Sequence, residues 1–430
     1  MSLLFSKMFF SKIIYTCLLT LALPFVPIKL LWRGIKQPEY LRHWGERFGF
    51  YNMTATKQVI WLHCVSVGET RAAVPLIDAL RDQYPNHQIL LTHTTPTGRQ
   101  ASEQLFGNSI LRAYLPYDLP FAVNHFLKHF KPSIGLLMET ELWFNLIAAC
   151  KQDNMPLLLL NARLSEKSAK GYAKLGKLMQ SGLRDLSAIS AQSDEDAKRL
   201  QMLGADEVTV AGNLKFDVKP PADSLEKGLQ LRALLGNERT VFLAASTREG
   251  EEALILDAVK DLDILTVIVP RHPQRFNDVE TLLQSQHTHY MRRSWLTTQP
   301  NQNPIDKNVK VILGDSMGEL FTYYAACDFT FVGGSLLKFG GQNLIEAASM
   351  GKPILIGKYT YNFASATKTA IKIGAAIQVK NGMELREGIQ YLQHNLPKRA
   401  KMHDAALRYS QASTGASVRV MQLISRHLSE

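Results

Sequence analysis

The sequence predicts an α/β protein in which two Rossmann-like, doubly wound domains face each other across a cleft, preceded by a membrane anchor helix. Short apolar runs alternate with helical patterns along most of the chain, as in parallel sheets that carry helices on both faces. A proline-containing break near the middle separates two such series. The length of 430 residues suits two domains of ordinary size.

The membrane anchor is predicted for residues 1–35. Residues 13–26 carry no charged side chain and the apolar stretch continues to Trp32, close to the ~20 residues that a bilayer span needs. Basic residues are in excess after this stretch, which predicts that the body of the protein lies in the cytoplasm. No small-x-small cleavage site follows, which disfavours a signal peptide. Pro24, Pro27 and Lys29 also suit a helix lying in the membrane surface, so single-pass and monotopic insertion both remain open.

Two series of predicted strands define the domains. In the first domain (36–215) the apolar runs are 59–65, 89–92, 134–138, 157–160 and 188–191. The segment KFDVKPPADS, with its paired prolines, predicts a linker over 216–224. The second domain (225–430) ends in a predicted helical tail from Gly382, and its apolar runs are 241–245, 265–269, 309–313, 329–332 and 354–356.

The composition indicates which classes of molecule the protein binds. A net charge of +11 implies an anionic partner such as nucleic acid, anionic lipid or a phosphorylated substrate. No basic run interleaved with aromatic residues appears, which argues against nucleic acid. The cysteines at 17, 64, 150 and 327 are scattered in apolar contexts, as buried thiols in a reducing compartment are.

Charged residues follow several predicted strands of the first domain, where ligands of doubly wound sheets bind. Glu69 follows the first strand and is a candidate general base, although the first turn of a helix also favours a carboxylate. Glu139 and Glu141 follow the third strand and either share work at one site or cap a helix through Thr140. Lys215, at the linker, is placed to reach a phosphate or carboxylate, and a structural role for it stays equally open.

The second domain presents a candidate anion site. Arginine is the natural bidentate partner of phosphate, and arginines and turn residues follow several of its predicted strands. Taken with the glycine-rich segment described next, this recurrence favours a phosphorylated nucleotide as ligand. The residues at the strand ends are Ser246, Thr247 and Arg248, then Pro270 and Arg271, then Ser316, Met317, Gly318 and Glu319.

The segment 327–357 is the most informative part of the chain. An apolar strand ends in Gly333 and Gly334, and a second glycine pair opens a helix that carries Asn343 and Glu346 on one side. Glycines allow the backbone to approach a ligand closely, and the N-terminus of a helix favours an anion. This combination suits a nucleotide-sugar donor; the alternative is an ordinary βαβ unit whose glycines only form tight turns.

Two further patterns are better explained by local structure. Asp194-Glu195-Asp196 spells the D-x-D of metal-dependent sugar transferases, but Ser193 precedes it as a helix N-cap, so first-turn acidic residues account for it. His125 and His129 are spaced as a ligand pair on a helix, yet no third metal ligand accompanies them. The sequence therefore predicts no metal site.

Nine sequence motifs, taken in chain order, resemble those of the bacterial 3-deoxy-D-manno-octulosonic acid (Kdo) transferases of lipopolysaccharide assembly. The resemblance covers nearly the whole chain and is more specific than any single motif. It rests on ERFG (46–49), HCVSVGE (63–69), METELW (138–143), NARLSEKS (161–168), GNLKFD (212–217), ASTREGEE (245–252), PRHPQRF (270–276), GDSMGEL (314–320) and GGQNLIEAASMGKP (340–353).

The resemblance implies the two-domain GT-B architecture and a location at the cytoplasmic face of the inner membrane. It implies transfer of Kdo from CMP-Kdo to a lipid A precursor (lipid IVA) with inversion, and neither a metal nor a cofactor. Matched to the motifs of the family, Glu69 is the catalytic base, and Glu139 and Lys215 support the transition state. The implied CMP contacts are Pro270, Arg271, Met317, Gly318, Glu319, Asn343, Leu344, Ile345 and Glu346, with Ser246, Thr247, Ser316, Gly333 and Gly334 as further donor contacts.

Three positions depart from the family pattern. Relatives often carry His in place of Arg248 and of Gln342, and Pro in place of Phe144, so no imidazole role carries over to those sites. Two other functions remain open alongside Kdo transfer. One is a GT-B transferase that uses a UDP-sugar and a lipid acceptor, and the other is a membrane-tethered sugar-nucleotide binding protein without catalysis.

Overall fold

The computed structural model describes residues 2–296 and 304–428, and it divides the chain into two compact units. The first unit comprises Met1–Val218 and Thr414–Glu430, and the second comprises Lys219–Ser413. The predicted second domain, 225–430, includes residues 297–303 and 429–430, which lie outside the described residues.

The first unit is built on a parallel sheet that has seven strands within the described residues. The strand order is β3-β2-β1-β4-β5-β6-β7. The chain reverses its direction of progress between β1 and β4, and such a switch point is where doubly wound sheets bind ligands. The strands are β1 (Gln58–His63), β2 (His87–His93), β3 (Leu111–Tyr114), β4 (Pro132–Met138), β5 (Leu157–Ala162), β6 (Ala188–Ala191) and β7 (Thr209–Val210).

The second unit repeats this architecture with another parallel sheet, again of seven strands in the described part of the chain. The order is β10-β11-β9-β8-β12-β13-β14, so the switch point lies between β8 and β12. The strands are β8 (Val241–Thr247), β9 (Leu265–Pro270), β10 (Tyr290–Arg292), β11 (Val311–Leu313), β12 (Phe329–Val332), β13 (Ile354–Gly357) and β14 (Ala376–Val379).

Helices connect successive strands. The earlier helices are α1 (Ser2–Ala22), α2 (Phe25–Lys36), α3 (Val67–Ala72), α4 (Val74–Gln83), α5 (Pro96–Phe106), α6 (Pro120–Phe130), α7 (Phe144–Gln152), α8 (Glu166–Ala173), α9 (Lys177–Asp185) and α10 (Asp194–Met202). The later helices are α11 (Ser224–Leu235), α12 (Glu251–Val259), α13 (Phe276–Ser285), α14 (Leu320–Ala326), α15 (Leu344–Ser349), α16 (Ala364–Lys372), α17 (Gly382–His394), α18 (Leu396–Ala412) and α19 (Ala416–Ser425).

Both faces of the central strands are buried, which explains why the predicted strands read as continuous apolar runs. In β1, Trp61 packs into a hydrophobic cluster on one face of the sheet, while Ile60 and Leu62 pack into a cluster on the other. Side chains alternate between the faces of a strand, so helices must cover both sides. The predicted fold class of two doubly wound domains is confirmed.

The last helix, α19, lies in a different unit from the one that the sequence analysis predicted. The sequence assigned everything after 225 to the second domain, but α19 belongs to the first unit. Val420 and Ile424 lie fully buried in the same cluster as Ile60. Asp217 accepts the backbone N–H of Gly415 at 2.7 Å, which ties the start of this segment to the first unit. The apolar face of α19 therefore completes the core of the first unit.

The N-terminal helices contact the first unit through polar side chains. The Tyr15 hydroxyl donates to Asp118 at 2.8 Å and the Thr16 hydroxyl donates to the Asn145 amide oxygen at 2.9 Å. Among the described helices, none alone has the length and apolar character of a bilayer span. The pair Lys12–Ala22 and Phe25–Ile35, bent by 53°, passes that test jointly on length and composition.

Candidate active site

Glu69 lies in the first turn of α3, directly after β1. The Ser66 hydroxyl caps this helix and donates to Glu69 Oε1 at 2.9 Å, while the backbone N–H of Val65 donates to Oε2 at 2.7 Å. The carboxylate therefore contributes to the start of the helix, which is the structural alternative for this residue. The residue is only 9% exposed.

Burial, followed by the negative charge of Glu139, raises the pKa of Glu69 to about 7. The hydrogen bonds from Val65 and Ser66 act in the opposite direction but do not cancel these two effects. A carboxylate with this pKa is half ionised at neutral pH and is a much stronger base than an exposed glutamate. These are the properties required of a general base.

Glu139 follows β4, the strand next to β1, and is paired with two cations. Lys215 Nζ lies 2.7 Å from Glu139 Oε1, and Arg163 Nη2 lies 3.6 Å from Oε2. Burial acts to raise the pKa of Glu139, but these charges outweigh it and hold the pKa below its usual value. Glu139 therefore stays ionised beside Glu69. Its φ of 58° is a left-handed conformation that is uncommon for glutamate and typical of functional sites.

Two asparagines fix the backbone that carries Lys215. Asn161, at the end of β5, accepts the N–H of Leu214 at 3.0 Å, and Asn213 accepts the N–H of Lys215 at 3.0 Å. Asn161 is fully buried and has a φ of 53°, a conformation that asparagine tolerates well. The geometry thus places Lys215 against Glu139, whose charge acts on Glu69, and Asn161 positions the backbone that carries Lys215.

The second predicted carboxylate after β4 has a separate environment. The Trp143 indole donates to Glu141 Oε2 at 2.9 Å, and burial raises the pKa of Glu141. Thr140 donates to the carbonyl of Arg163 and does not cap α7, whose N-cap is Trp143. The capping alternative for Thr140 is therefore wrong.

In the second unit, the paired glycines after β12 allow two strand ends to meet at the switch point. A Cβ atom on Gly333 would lie 2.6 Å from the carbonyl oxygen of Ser246, so a larger residue cannot be accommodated. The carbonyl groups of Gly333 and Gly334 accept the N–H groups of Gln342 and Gly341. These bonds join the first glycine pair to the segment that opens α15.

A buried carboxylate that the sequence analysis did not single out holds this loop. Glu251 is fully buried at the start of α12 and accepts three backbone N–H groups, from Arg248 at 2.9 Å, Gly334 at 2.6 Å and Leu336 at 2.9 Å. Carboxylates that accept several N–H groups are strong structural anchors. Glu251 therefore fixes the conformation of the glycine loop, and the REGEE segment after β8 was the available signal.

The residues predicted at the start of α15 have different exposures. Asn343 caps the helix by accepting the N–H of Ile345 at 3.1 Å, and its amide donates to Glu346 at 3.1 Å. Leu344 and Ile345 are fully buried, and the N–H of Ile345 is used by the Asn343 cap.

Arg271 is the first residue after β9. Its backbone N–H donates to the Thr247 carbonyl at 3.0 Å, which places Arg271 beside the end of β8. Pro270 is the last residue of β9. Arg275, one turn later, lies 3.3 Å from Glu252 and is thereby paired. Burial, and then the charges of nearby arginines, lower the pKa of His272. The carboxyl ends of β8 and β9 thus form a cationic surface.

Two side chains of the segment after β11, those of Ser316 and Glu319, contact other residues of the second unit. The Ser316 and Tyr323 hydroxyl oxygens are 2.7 Å apart, and Arg293 lies 3.1 Å from Glu319. Met317 is exposed, and Gly318 has a φ of 84°, which favours glycine.

The remaining sequence features are structural. Ser193 caps α10 and accepts the N–H of Asp196, in agreement with the first-turn explanation of the D-x-D. The described residues contain no cluster of three or more His, Cys, Asp or Glu able to hold a metal ion. Phe144 is buried, with its ring 5.3 Å from that of Tyr15, and is part of the core.

Known protein families and proteins match this chain along nearly its whole length. The family model described as 3-deoxy-D-manno-octulosonic-acid transferase (kdotransferase) matches residues 42–218, and the model described as glycosyl transferases group 1 matches residues 292–409. The 3-deoxy-D-manno-octulosonic acid transferase of Haemophilus influenzae is 35% identical over 427 residues, which cover 97% of this chain and 99% of that protein. The transferase of the same name from Bordetella pertussis is 40% identical over 378 residues, covering 85% and 86%.

A solved structure supports the fold. A glycosyltransferase from Rickettsia africae matches with a TM-score of 0.59 at 15% identity, covering 87% of this chain and 100% of that one. At this identity the likeness shows the fold alone, which is GT-B. The predicted family resemblance is confirmed by the relatives above.

Proposed function

The chain belongs to the 3-deoxy-D-manno-octulosonic acid transferase family and is a glycosyltransferase of GT-B fold, and we propose that it transfers Kdo from CMP-Kdo to a lipid A precursor with inversion. The observation that carries the proposed chemistry is the buried Glu69, whose pKa is raised to about 7 at the switch point of the first sheet. Such a group takes up a proton at neutral pH, as a single displacement by a hydroxyl requires.

In the proposed reaction, Glu69 takes the proton of a primary hydroxyl on the acceptor disaccharide. The hydroxyl oxygen forms a bond to the anomeric carbon of Kdo as the bond between that carbon and the phosphate oxygen breaks. CMP leaves as a phosphate monoester, and attack from the face opposite the leaving group inverts the anomeric centre. One proton moves to Glu69, and the electron pair of the broken bond leaves with CMP.

Glu139 and Lys215 support this step electrostatically. Glu139 stays ionised because Lys215 and Arg163 lower its pKa, and its charge contributes to the raised pKa of Glu69. The 2.7 Å contact with Glu139 holds the Lys215 ammonium in place. A preorganised cation stabilises developing negative charge without rearrangement during the reaction.

The donor is proposed to bind the second unit through its CMP moiety. Arg271 follows β9 and is suited to the phosphate, because a guanidinium forms charge-assisted hydrogen bonds with it. The main chain of 317–319 and the segment 343–346 supply further contacts to the nucleotide. Ser246, Thr247, Ser316, Gly333 and Gly334 are proposed to complete the donor site.

The acceptor explains the N-terminal helices. A bisphosphorylated lipid lies in the bilayer, and a chain with a net charge of +11 is attracted to an anionic surface. Polar bonds tie α1 to the first unit, which supports insertion in the cytoplasmic surface of the inner membrane over a free span. The apolar side chains that α2 exposes for this contact are Phe25, Ile28, Leu31, Trp32 and Ile35.

The choice of donor tests the proposal against the UDP-sugar alternative. Thermal unfolding of the purified protein is measured with CMP, UDP or neither, in Glu69→Gln as well as wild type. CMP is expected to raise the midpoint in both proteins and UDP to have no comparable effect, while only the wild type transfers Kdo. Protection by UDP alone contradicts the proposed donor. Equal transfer by both proteins contradicts the proposed base.

A further inference from the structure

Arg248 is a half-buried arginine whose positive charge is not neutralised by a carboxylate in the described part of the chain. Its guanidinium lies over the ring of Phe339, 4.6 Å from the centroid. The carboxylates that follow it are used elsewhere, since Glu251 accepts backbone N–H groups and Glu252 pairs with Arg275. The positive charge of Arg248 is therefore available to an anion from outside the protein.

Arg248 lies against the glycine loop together with Gln342. A Cβ atom on Gly334 would be 3.4 Å from Arg248 Cγ and 2.9 Å from Gln342 Nε2. The two side chains consequently flank the same face of Gly334.

A second guanidinium lies on the neighbouring strand end. Burial lowers the pKa of His272, and Arg248, Arg271 and Arg275 each lower it further, so these three arginines lie near one imidazole. Arg275 is neutralised by Glu252. Arg248 thus adds a separate positive charge, at the end of β8, to the one that Arg271 provides at the end of β9.

A donor composed of CMP and an ulosonic acid carries two anionic groups, the phosphate and the sugar carboxylate. We propose that Arg248, assisted by the Gln342 amide, binds the carboxylate of the donor sugar, while Arg271 binds the phosphate. This assignment rests on the proposed function and names the residues that select an acidic sugar. A guanidinium matches a carboxylate with two parallel hydrogen bonds, and an amide donor can serve the same oxygens.

The test separates the two anions of the donor by using CMP, which lacks the carboxylate. In full-length protein, Ki for CMP and KM for CMP-Kdo are measured for wild type, Arg248→Ala, Arg248→Lys and Arg271→Ala. A hydrogen bond to a charged group contributes about 1.5–3 kcal/mol, so Arg248→Ala should raise KM for CMP-Kdo roughly 10–100-fold. Its Ki for CMP should stay within about twofold of wild type, and Arg248→Lys should recover part of the loss.

Arg271→Ala is the contrasting variant, because it should weaken CMP and CMP-Kdo together. Lys338→Ala is the matched control, since it removes an exposed cation from the same loop as Phe339 and should change neither constant. An unchanged Ki for CMP also shows that Arg248→Ala is folded; if that variant does not fold, Arg248→Gln takes its place.

The outcomes are distinguishable. Equal weakening of CMP and CMP-Kdo by Arg248→Ala would place Arg248 at the phosphate and overturn the assignment. An unchanged KM for CMP-Kdo would overturn it as well. Failure of the wild type to bind CMP at all would instead remove the proposed function on which the assignment rests.

Discussion

The ionisation of Glu69 determines how activity depends on pH. The base acts only when deprotonated, so kcat/KM should rise with pH along a limb whose midpoint is the pKa of about 7. Glu69→Gln should lower turnover by ~10²–10⁴-fold at every pH, because an amide does not accept the proton of the acceptor hydroxyl.

The same pKa predicts a change in stability. A rise from 4.5 to about 7 corresponds to a cost of about 3 kcal/mol for holding the ionised carboxylate in the folded protein. Because the folded pKa is above the unfolded one, the folded state binds this proton more tightly and loses stability as pH rises from about 4.5 to 7. Glu69→Gln lacks this loss. The free energy of unfolding of Glu69→Gln minus that of the wild type should therefore increase by about 2–3 kcal/mol between pH 5 and 8.

Glu139→Gln tests the cause of the shift. It removes the negative charge that, after burial, raises the pKa of Glu69 most, so the limb should move to lower pH. Glu141→Gln is the matched control. It removes a carboxylate of the same motif whose charge raises the pKa of Glu69 less than that of Glu139 does, so a smaller movement of the limb is expected.

The assays are initial transfer rates from pH 5 to 9 and calorimetric unfolding over the same range. A wild-type midpoint near 4.5, or a limb that Glu139→Gln leaves in place, would refute the account of Glu69. So would a stability difference between Glu69→Gln and wild type that does not change with pH.

Three further predictions follow from the contacts described above. Lys215→Met leaves Glu139 with Arg163 alone, so calorimetry should show stability lowered by up to about 3 kcal/mol and rate assays a loss of transfer. Glu251→Gln removes the charge that holds the glycine loop, so titration should show weaker CMP binding, and calorimetry should show stability lowered by about 1–3 kcal/mol. Deleting residues 1–32 should leave a folded protein that binds CMP and uses detergent-dispersed acceptor, with sedimentation showing less binding to anionic vesicles.

Controls keep these outcomes interpretable. Glu249→Gln, next to the buried pair of glutamates but exposed, should not change CMP binding, and an equal effect in both variants would contradict the anchoring role of Glu251. For the deletion, Tyr15→Phe in the full chain separates loss of the Asp118 bond from loss of the helices. A truncated protein that neither folds nor binds CMP would show that these helices are part of the core.

Most of the fold could be predicted because the central strands are buried on both faces. The strands that the sequence analysis missed are β3, β7, β10 and β14, which lie at the edges of the two sheets. β7 is exposed at both residues and β10 is half-buried throughout, so neither shows a continuous apolar run. The position of α19 was missed because an amphipathic helix does not reveal which core it covers.

The candidate site residues that could be predicted from the sequence are those that directly follow a predicted strand. Glu69 and Glu139 follow neighbouring strands, so the topology alone brings them together. The pairing of Glu139 with Lys215 joins residues 76 positions apart, and no local pattern reports such a contact. Glu251 was missed for a similar reason, because it accepts backbone N–H groups of a distant loop. Asn161 could be placed at a strand end from the sequence, but its bond to the backbone of Leu214 could not.

The most direct test of the central claim is mass spectrometry of the acceptor after incubation with full-length protein and CMP-Kdo. The acceptor is a tetraacylated, bisphosphorylated glucosamine disaccharide, and Glu69→Gln is run in parallel. The account predicts a product heavier by one or more Kdo residues with wild type, and almost none with the variant. An unmodified acceptor with wild type, or equal product from both proteins, would contradict it.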